Sequence, residues 1–144
     1  MSPSASVRGR SYFEDVTVGS EHETPAMTVT EAHVALYANL TRDDAPGAGI
    51  APDLLGLCLS TGLGWRIDRP PLVVLAFMGL EWKIVRPLRV GDTIRSVART
   101  AVKRAMRDGG VVIEEHSIVD QRGDVLQHGR FTFLVAKRPA ARGG

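Results

Sequence analysis

Two short stretches of this chain carry side chains that can exchange protons. "TRDDAPGAGIAPDLLG", residues 41–56, sets the adjacent acids Asp43 and Asp44 before a proline–glycine loop, which runs into an apolar segment with Asp53 and Leu54 in its first turn. Neighbouring carboxylates ahead of a turn suit general-base work, or equally the capping and solvation of the loop. "VVIEEHSIVD", residues 111–120, is the second stretch. Strand residues alternate faces, so Val112, Glu114, His116 and Ile118 share one side, and Glu115 and Ser117 share the other. If the first side is buried, Glu114 and His116 form an acid–base pair that must find partners in each other, in a loop or in a ligand. A register shifted by one, or a solvent-facing sheet edge, would leave them as ordinary surface groups.

The remaining reactive residue types read as packing or surface. Cys58, the single cysteine, falls within an apolar helical pattern and excludes an internal disulfide. His22, His33 and His128 are expected at the surface, while Trp65 and Trp82 suit a core or a pocket wall. Asp53 reads as a first-turn acid favoured by the helix dipole. The histidines and acids lack local ligand spacing such as His-Glu-x-x-His, so no metal is expected, and "GAG" and "GLGW" lack the setting of a phosphate loop. No cofactor is implied.

The elements that must position these groups follow from the wider pattern. A chain of 144 residues is about one domain long and can bury one core. Its 18 basic and 16 acidic residues leave a formal charge of only +2, and the basic side chains are scattered, which argues against nucleic-acid binding. No apolar run reaches the roughly 18 residues of a membrane span, and "MSPSASVRGR" has no apolar core of a secretory signal. A soluble, cytoplasmic protein is the expectation. The domain is placed at residues 11–138, between a flexible segment at 1–10 and a flexible basic tail at 139–144.

Within that domain, "TVTEAHVALYANL" predicts a short amphipathic helix capped by Thr30. From Ala51 to about Trp65 the segment is apolar almost all round, the signature of a helix inside the domain. Four strand-like runs follow: "LVVLAFMGLEWKIV", "DTIRSVARTAVKRAM", "VVIEEHSIVD" and "DVLQHGRFTFLVA". Their junctions carry turn residues, which predicts an antiparallel meander and an α+β domain whose sheet wraps the buried helix.

"YFEDVTVGS", "TVTEAHVALYANLT", "STGLGW", "LAFMGLEWKIVRPLRVGDTI" and "VVIEEHSIVDQRGDVLQHGRFTFLV" stand in the order found in MaoC-like R-specific enoyl-CoA hydratases and dehydratases. The resemblance covers roughly residues 12 to 137, and "GLEWKIVRPLRVGDTI" is its most specific part. It implies a hot-dog fold, with a long antiparallel sheet around a central helix. It also implies an oligomer built on a dimer, and an acyl thioester of coenzyme A or acyl carrier protein as ligand.

The family's catalytic segment resembles Gly-Asp-x-Asn-Pro-x-His, followed by Ala-His-Gly at the start of the helix. Here Asp43 and Pro46 match, Ala45 replaces the Asn, the loop shortens, no histidine follows, and Pro52 and Asp53 stand for the His and Gly. The resemblance therefore implies a divergent hydratase or dehydratase, a lyase-type enzyme with Asp43 as retained base. Asp53 and Leu54 would lie by the thioester carbonyl, Trp65 and Trp82 along the pocket, and Glu114 with His116 would replace the missing imidazole. Two alternatives stay open. One is a cyclase, Michael-addition or isomerase enzyme of a polyketide-like pathway. The other is a non-catalytic subunit that pairs with another hot-dog chain in a heterodimer.

Overall fold

The computed structural model describes residues 9–44 and 46–141, so the expectations for the two termini and for Ala45 lie largely outside the described residues. Thr30, in extended conformation, opens α1 (Glu31–Thr41), and its backbone N–H donates to His33 Nδ1 at 3.0 Å. That bond satisfies a donor at the helix start and gives His33 a capping role. Arg42, left-handed at φ 60°, ends the helix.

Helix α2 (Leu55–Gly64) starts four residues later than its apolar pattern predicts. The reason is that Ala51 N–H donates to the Leu88 carbonyl, which commits the first residues of the segment to a turn. Leu55, Gly56, Ser60 and Leu63 face inward, whereas Cys58 is exposed and Trp65, just past the helix, is 73% exposed. The expectation of a helix enclosed on all sides is thus corrected, together with the packing role given to Cys58: the sheet covers only one face of α2.

Among the described residues six strands form one antiparallel sheet: β1 (Glu21–Glu23), β2 (Met27–Thr28), β3 (Val74–Ile84), β4 (Thr93–Met106), β5 (Gly109–Val119) and β6 (Val125–Val135). The path runs β1-β4-β5-β6-β3, with β2 also on β4. The four long strands coincide closely with the four predicted runs, but the meander covers only β4, β5 and β6. β3 pairs with β6, because the other edge of β4 is taken by β1 and β2, short segments too polar to register as strands in the pattern.

The core lies between α2 and the sheet, built on Leu55, Leu63, Leu88, Ile94, Ile118 and Leu126. Gln127, 1% exposed, crosses it: Trp82 Nε1–H donates to its Oε1 at 2.8 Å, and its Nε2 donates to the Asp53 carbonyl at 3.0 Å. A Cβ on Gly56 would stand 2.8 Å from this amide, so the glycine lets α2 sit against the sheet. Among the described residues no helix is long and apolar enough to cross a membrane.

Candidate functional site

A cavity of about 430 Å³ opens between the second half of α2 and the inner face of the sheet. Its walls are mostly apolar and aromatic, with Trp65, Phe77, Phe131 and Phe133 prominent, and it contains both Glu114 and His116. The volume lies in the range that holds small organic ligands, roughly 300–1,000 Å³. Strand alternation turns these two residues inward alongside Val112 and Ile118. The residues opposite His116 across the ladder are Ala98 and Gly129, and their small size leaves room for an imidazole ring.

Glu114 is 5% exposed. Its Oε2 lies 3.7 Å from Arg69 Nη2, and its Oε1 lies 3.8 Å from His116 Nε2. At that distance the second contact is electrostatic and not a hydrogen bond. Burial pushes the Glu114 carboxyl up, but His116, Arg69 and His22 outweigh it and hold the group below the ordinary carboxylate value. The His116 ring stacks on Phe131 with centroids 4.1 Å apart, and both its nitrogens are buried without a hydrogen-bond partner. Leaving buried polar atoms unpaired costs about 1–3 kcal/mol. Groups kept in place at such a cost are common where a ligand supplies the missing partner.

A smaller cavity of about 240 Å³ adjoins the first, with Arg69 and Leu72 in both walls and His22, Ser20 and Thr100 in its own. His22 is therefore not the plain surface residue expected; it sits half-buried on β1, opposite Ala98. Burial, and then the Arg69 charge, lower its affinity for a proton, while Glu114 opposes them. The unfolded chain then takes up this proton more readily. His22 contributes stability that is fully present above its ordinary value of 6.5 and is lost as pH falls through the lowered folded value. Urea midpoints measured between about pH 7 and 5 are expected to fall more steeply for the parent than for His22→Gln. Parallel slopes would show that His22 titrates alike in both states.

Of the residues singled out by sequence, Glu114, His116 and Trp65 meet at this cavity; among the described residues its wall does not include Asp43, Asp53, Leu54 or Trp82. Asp43 is exposed, with its backbone N–H donating to Thr41 Oγ1 at 3.1 Å. Its carboxylate lies near the Tyr37 phenol, whose pKa is raised by burial and then by Asp43 and Cys58. Asp53 and Leu54 are exposed at the start of α2, and Trp82 packs half-buried against the core. Arg69, Ser60 and Ser96 were not anticipated. Ser96 was accessible in principle, since alternation along β4 turns it to the same face as Ile94 and Ala98. Arg69 follows a turn after α2, and nothing in the sequence aims it at β5.

No protein-family model matches the chain. It is 25% identical over 139 residues to Protein MaoC of Klebsiella aerogenes, an alignment covering 88% of this chain and 39% of that protein. The chain thus spans well under half the length of that relative. The structure is similar to a monoamine oxidase regulatory protein from Archaeoglobus, at TM-score 0.83 and 28% identity, covering 92% of this chain and 98% of the other. It is also similar to a MaoC-like dehydratase from Rhodospirillum rubrum, at TM-score 0.77 and 18% identity over 90% and 99% of the two chains. A double hot-dog protein from Mycobacterium tuberculosis matches at TM-score 0.74 and 18% identity, covering 94% of this chain and 47% of that one. The fold is the hot-dog fold.

Proposed function

We propose that this chain belongs to the MaoC-like hot-dog family of dehydratases and hydratases and that it performs acid–base chemistry on an acyl or enoyl thioester of coenzyme A or acyl carrier protein. The observation that carries the proposal is the inward-facing Glu114–His116 pair in an otherwise apolar cavity. In the hydration direction, water attacks the β-carbon while giving its proton to a free imidazole nitrogen of His116. The π electrons move onto the α-carbon and thioester oxygen, and the imidazolium returns the proton to the α-carbon. Glu114, charged and held by Arg69, stabilises the imidazolium in between. Dehydration is the reverse.

Asp53 and Leu54, exposed at the start of α2 and outside the cavity wall, are the proposed contact for the carrier part of the ligand, and Trp65 borders the cavity. Trp82 acts through Gln127, which ties it to Asp53. Asp43, exposed beside Tyr37 and outside the cavity wall, takes no proton in this step, so Asp43→Asn is expected to leave turnover unchanged, and a large loss would return the role of base to Asp43.

A second reading, a cyclase, intramolecular Michael addition or isomerase, is favoured by one observation: the acid–base pair lies among aromatic rings, apart from Asp43. The assay is a panel of enoyl-CoA and enoyl-carrier-protein thioesters from crotonyl upward. Hydration of the series supports the first reading. An untouched crotonyl thioester, with a longer or functionalised chain converted to an isomer, supports the second.

The proposed assembly is a homodimer in the cytoplasm. β3 is an edge strand with Leu75, Met78 and Leu80 exposed, an apolar edge that a second copy would cover. Purified alone, the protein is expected to elute as a dimer, and Met78→Asp as a smaller species. A monomer or an aggregate that becomes soluble only with another hot-dog chain would instead support the subunit reading.

A further inference from the structure

The polar side chains around the large cavity are nearly all provided for. The Ser60 and Ser96 hydroxyls bond each other at 2.9 Å. Thr24 Oγ1 donates to the Pro25 carbonyl and accepts from Ser96 N–H, and Thr61 Oγ1 donates to the Cys58 carbonyl. Glu114 is paired with Arg69. His116 differs: its ring nitrogens are buried against this cavity with no hydrogen bond. A plain alkyl chain filling the space would seal them off unpaired. A ligand with one hydrogen-bonding atom at this depth would satisfy them.

The surrounding walls restrict the rest of the molecule. His116 lies face to face with Phe131, while Phe77 and Phe133 meet Phe131 edge-on at 5.9 and 6.1 Å and each other at 5.4 Å. Flat, rigid groups gain most from such a cluster, through offset and edge-to-face contacts beyond simple area burial. The carboxylate of Glu114, 3.8 Å from Nε2, disfavours an anionic head beside the imidazole.

We infer that the cavity selects a neutral, ring-bodied ligand carrying a hydroxyl or keto oxygen, with His116 bonding that oxygen and the phenylalanine cluster holding the ring. This deepens the proposed function by naming the class of acyl group or product that occupies the site, and it rests on the cavity being the substrate pocket. A ring carrying an enol or ketone is also a molecule on which an acid–base pair can act, by moving a proton between oxygen and ring carbon.

The test is calorimetric titration of the purified chain with 2-naphthol, 2-methylnaphthalene and 1-octanol. 2-Naphthol is expected to bind about tenfold tighter than 2-methylnaphthalene, the worth of one buried hydrogen bond. His116→Leu is expected to bring the two within about twofold by weakening 2-naphthol alone. In the parent protein, 2-naphthol should also shift the His116 ring resonances saturably, a readout that needs no variant. Equal affinities, octanol binding as tightly as naphthol, no binding of any probe, an unmoved His116 resonance, or a preference that survives His116→Leu would each overturn the inference. Absent thioester turnover with the naphthol preference intact removes only the hydratase reading; turnover without the preference removes only this one.

Discussion

Replacing His116 by leucine is expected to leave the domain at least as stable as the parent while lowering thioester turnover by about two orders of magnitude. The stability half follows from burial. Leucine fills similar space against Phe131 and carries no polar atom, so the change removes two buried nitrogens that the fold itself does not satisfy. Deleting an unpaired polar group recovers part of its desolvation cost, about 1–3 kcal/mol, against the lost ring stacking of about 0.5–1.5 kcal/mol. The activity half follows from the loss of the proposed proton carrier, since positioned acid–base groups contribute about 10²–10⁴-fold. Glu114→Gln should lower turnover comparably but differ in stability, because it leaves Arg69 without its carboxylate partner. Thermal unfolding and steady-state turnover on one preparation decide the matter. A His116→Leu protein that melts well below the parent would mean that the imidazole is part of the scaffold. Unchanged turnover would remove the acid–base role.

The second large effect is structural and lies directly opposite His116. Gly129→Ala is expected to cost about 3 kcal/mol, a large share of the roughly 5–15 kcal/mol that holds a domain of this size together. A Cβ at Gly129 would stand 1.9 Å from the Glu81 carbonyl oxygen and 2.8 Å from Trp82 Cε3. The first is a backbone atom in the β3–β6 ladder, so relief requires the strands to part where Trp82 faces Gly129. Gly79→Ala, on β3 in the same β3–β6 ladder, is the control: nothing lies within 4 Å of its added Cβ, so the change should be nearly neutral. Urea midpoints for the two variants should separate by about 3 kcal/mol, and equal midpoints would show that the ladder yields at Gly129 without penalty.

Much of this protein was legible from local pattern. Strand-like runs bounded by turn residues along 72–136 marked four strands within a residue or two of their observed ends, and Thr30 marked the start of α1. Alternation alone put Glu114 and His116 on one face with Val112 and Ile118, because the side a strand residue takes depends only on its neighbours in sequence. Segment order was enough to indicate the hot-dog fold.

Which face that was, and what stood opposite it, depended on contacts between residues far apart in sequence. The pairing of β3 with β6 was decided by β1 and β2 occupying the edge of β4, two strands too short to leave a periodic signal. The open side of α2 reflects the sheet covering one face only, which an all-round apolar pattern cannot express. Arg69 reaches Glu114 across 45 residues of chain, and His22 enters the adjoining cavity through its pairing with β4. Asp43 had the more suggestive surroundings in sequence, yet the turn after α1 leaves it exposed beside Tyr37 while β5 carries Glu114 and His116 to the cavity. Sequence determined which groups could act together on one strand, since that is set by bond geometry; only the assembled sheet and its helix determined that a buried, unpaired imidazole would face the cavity.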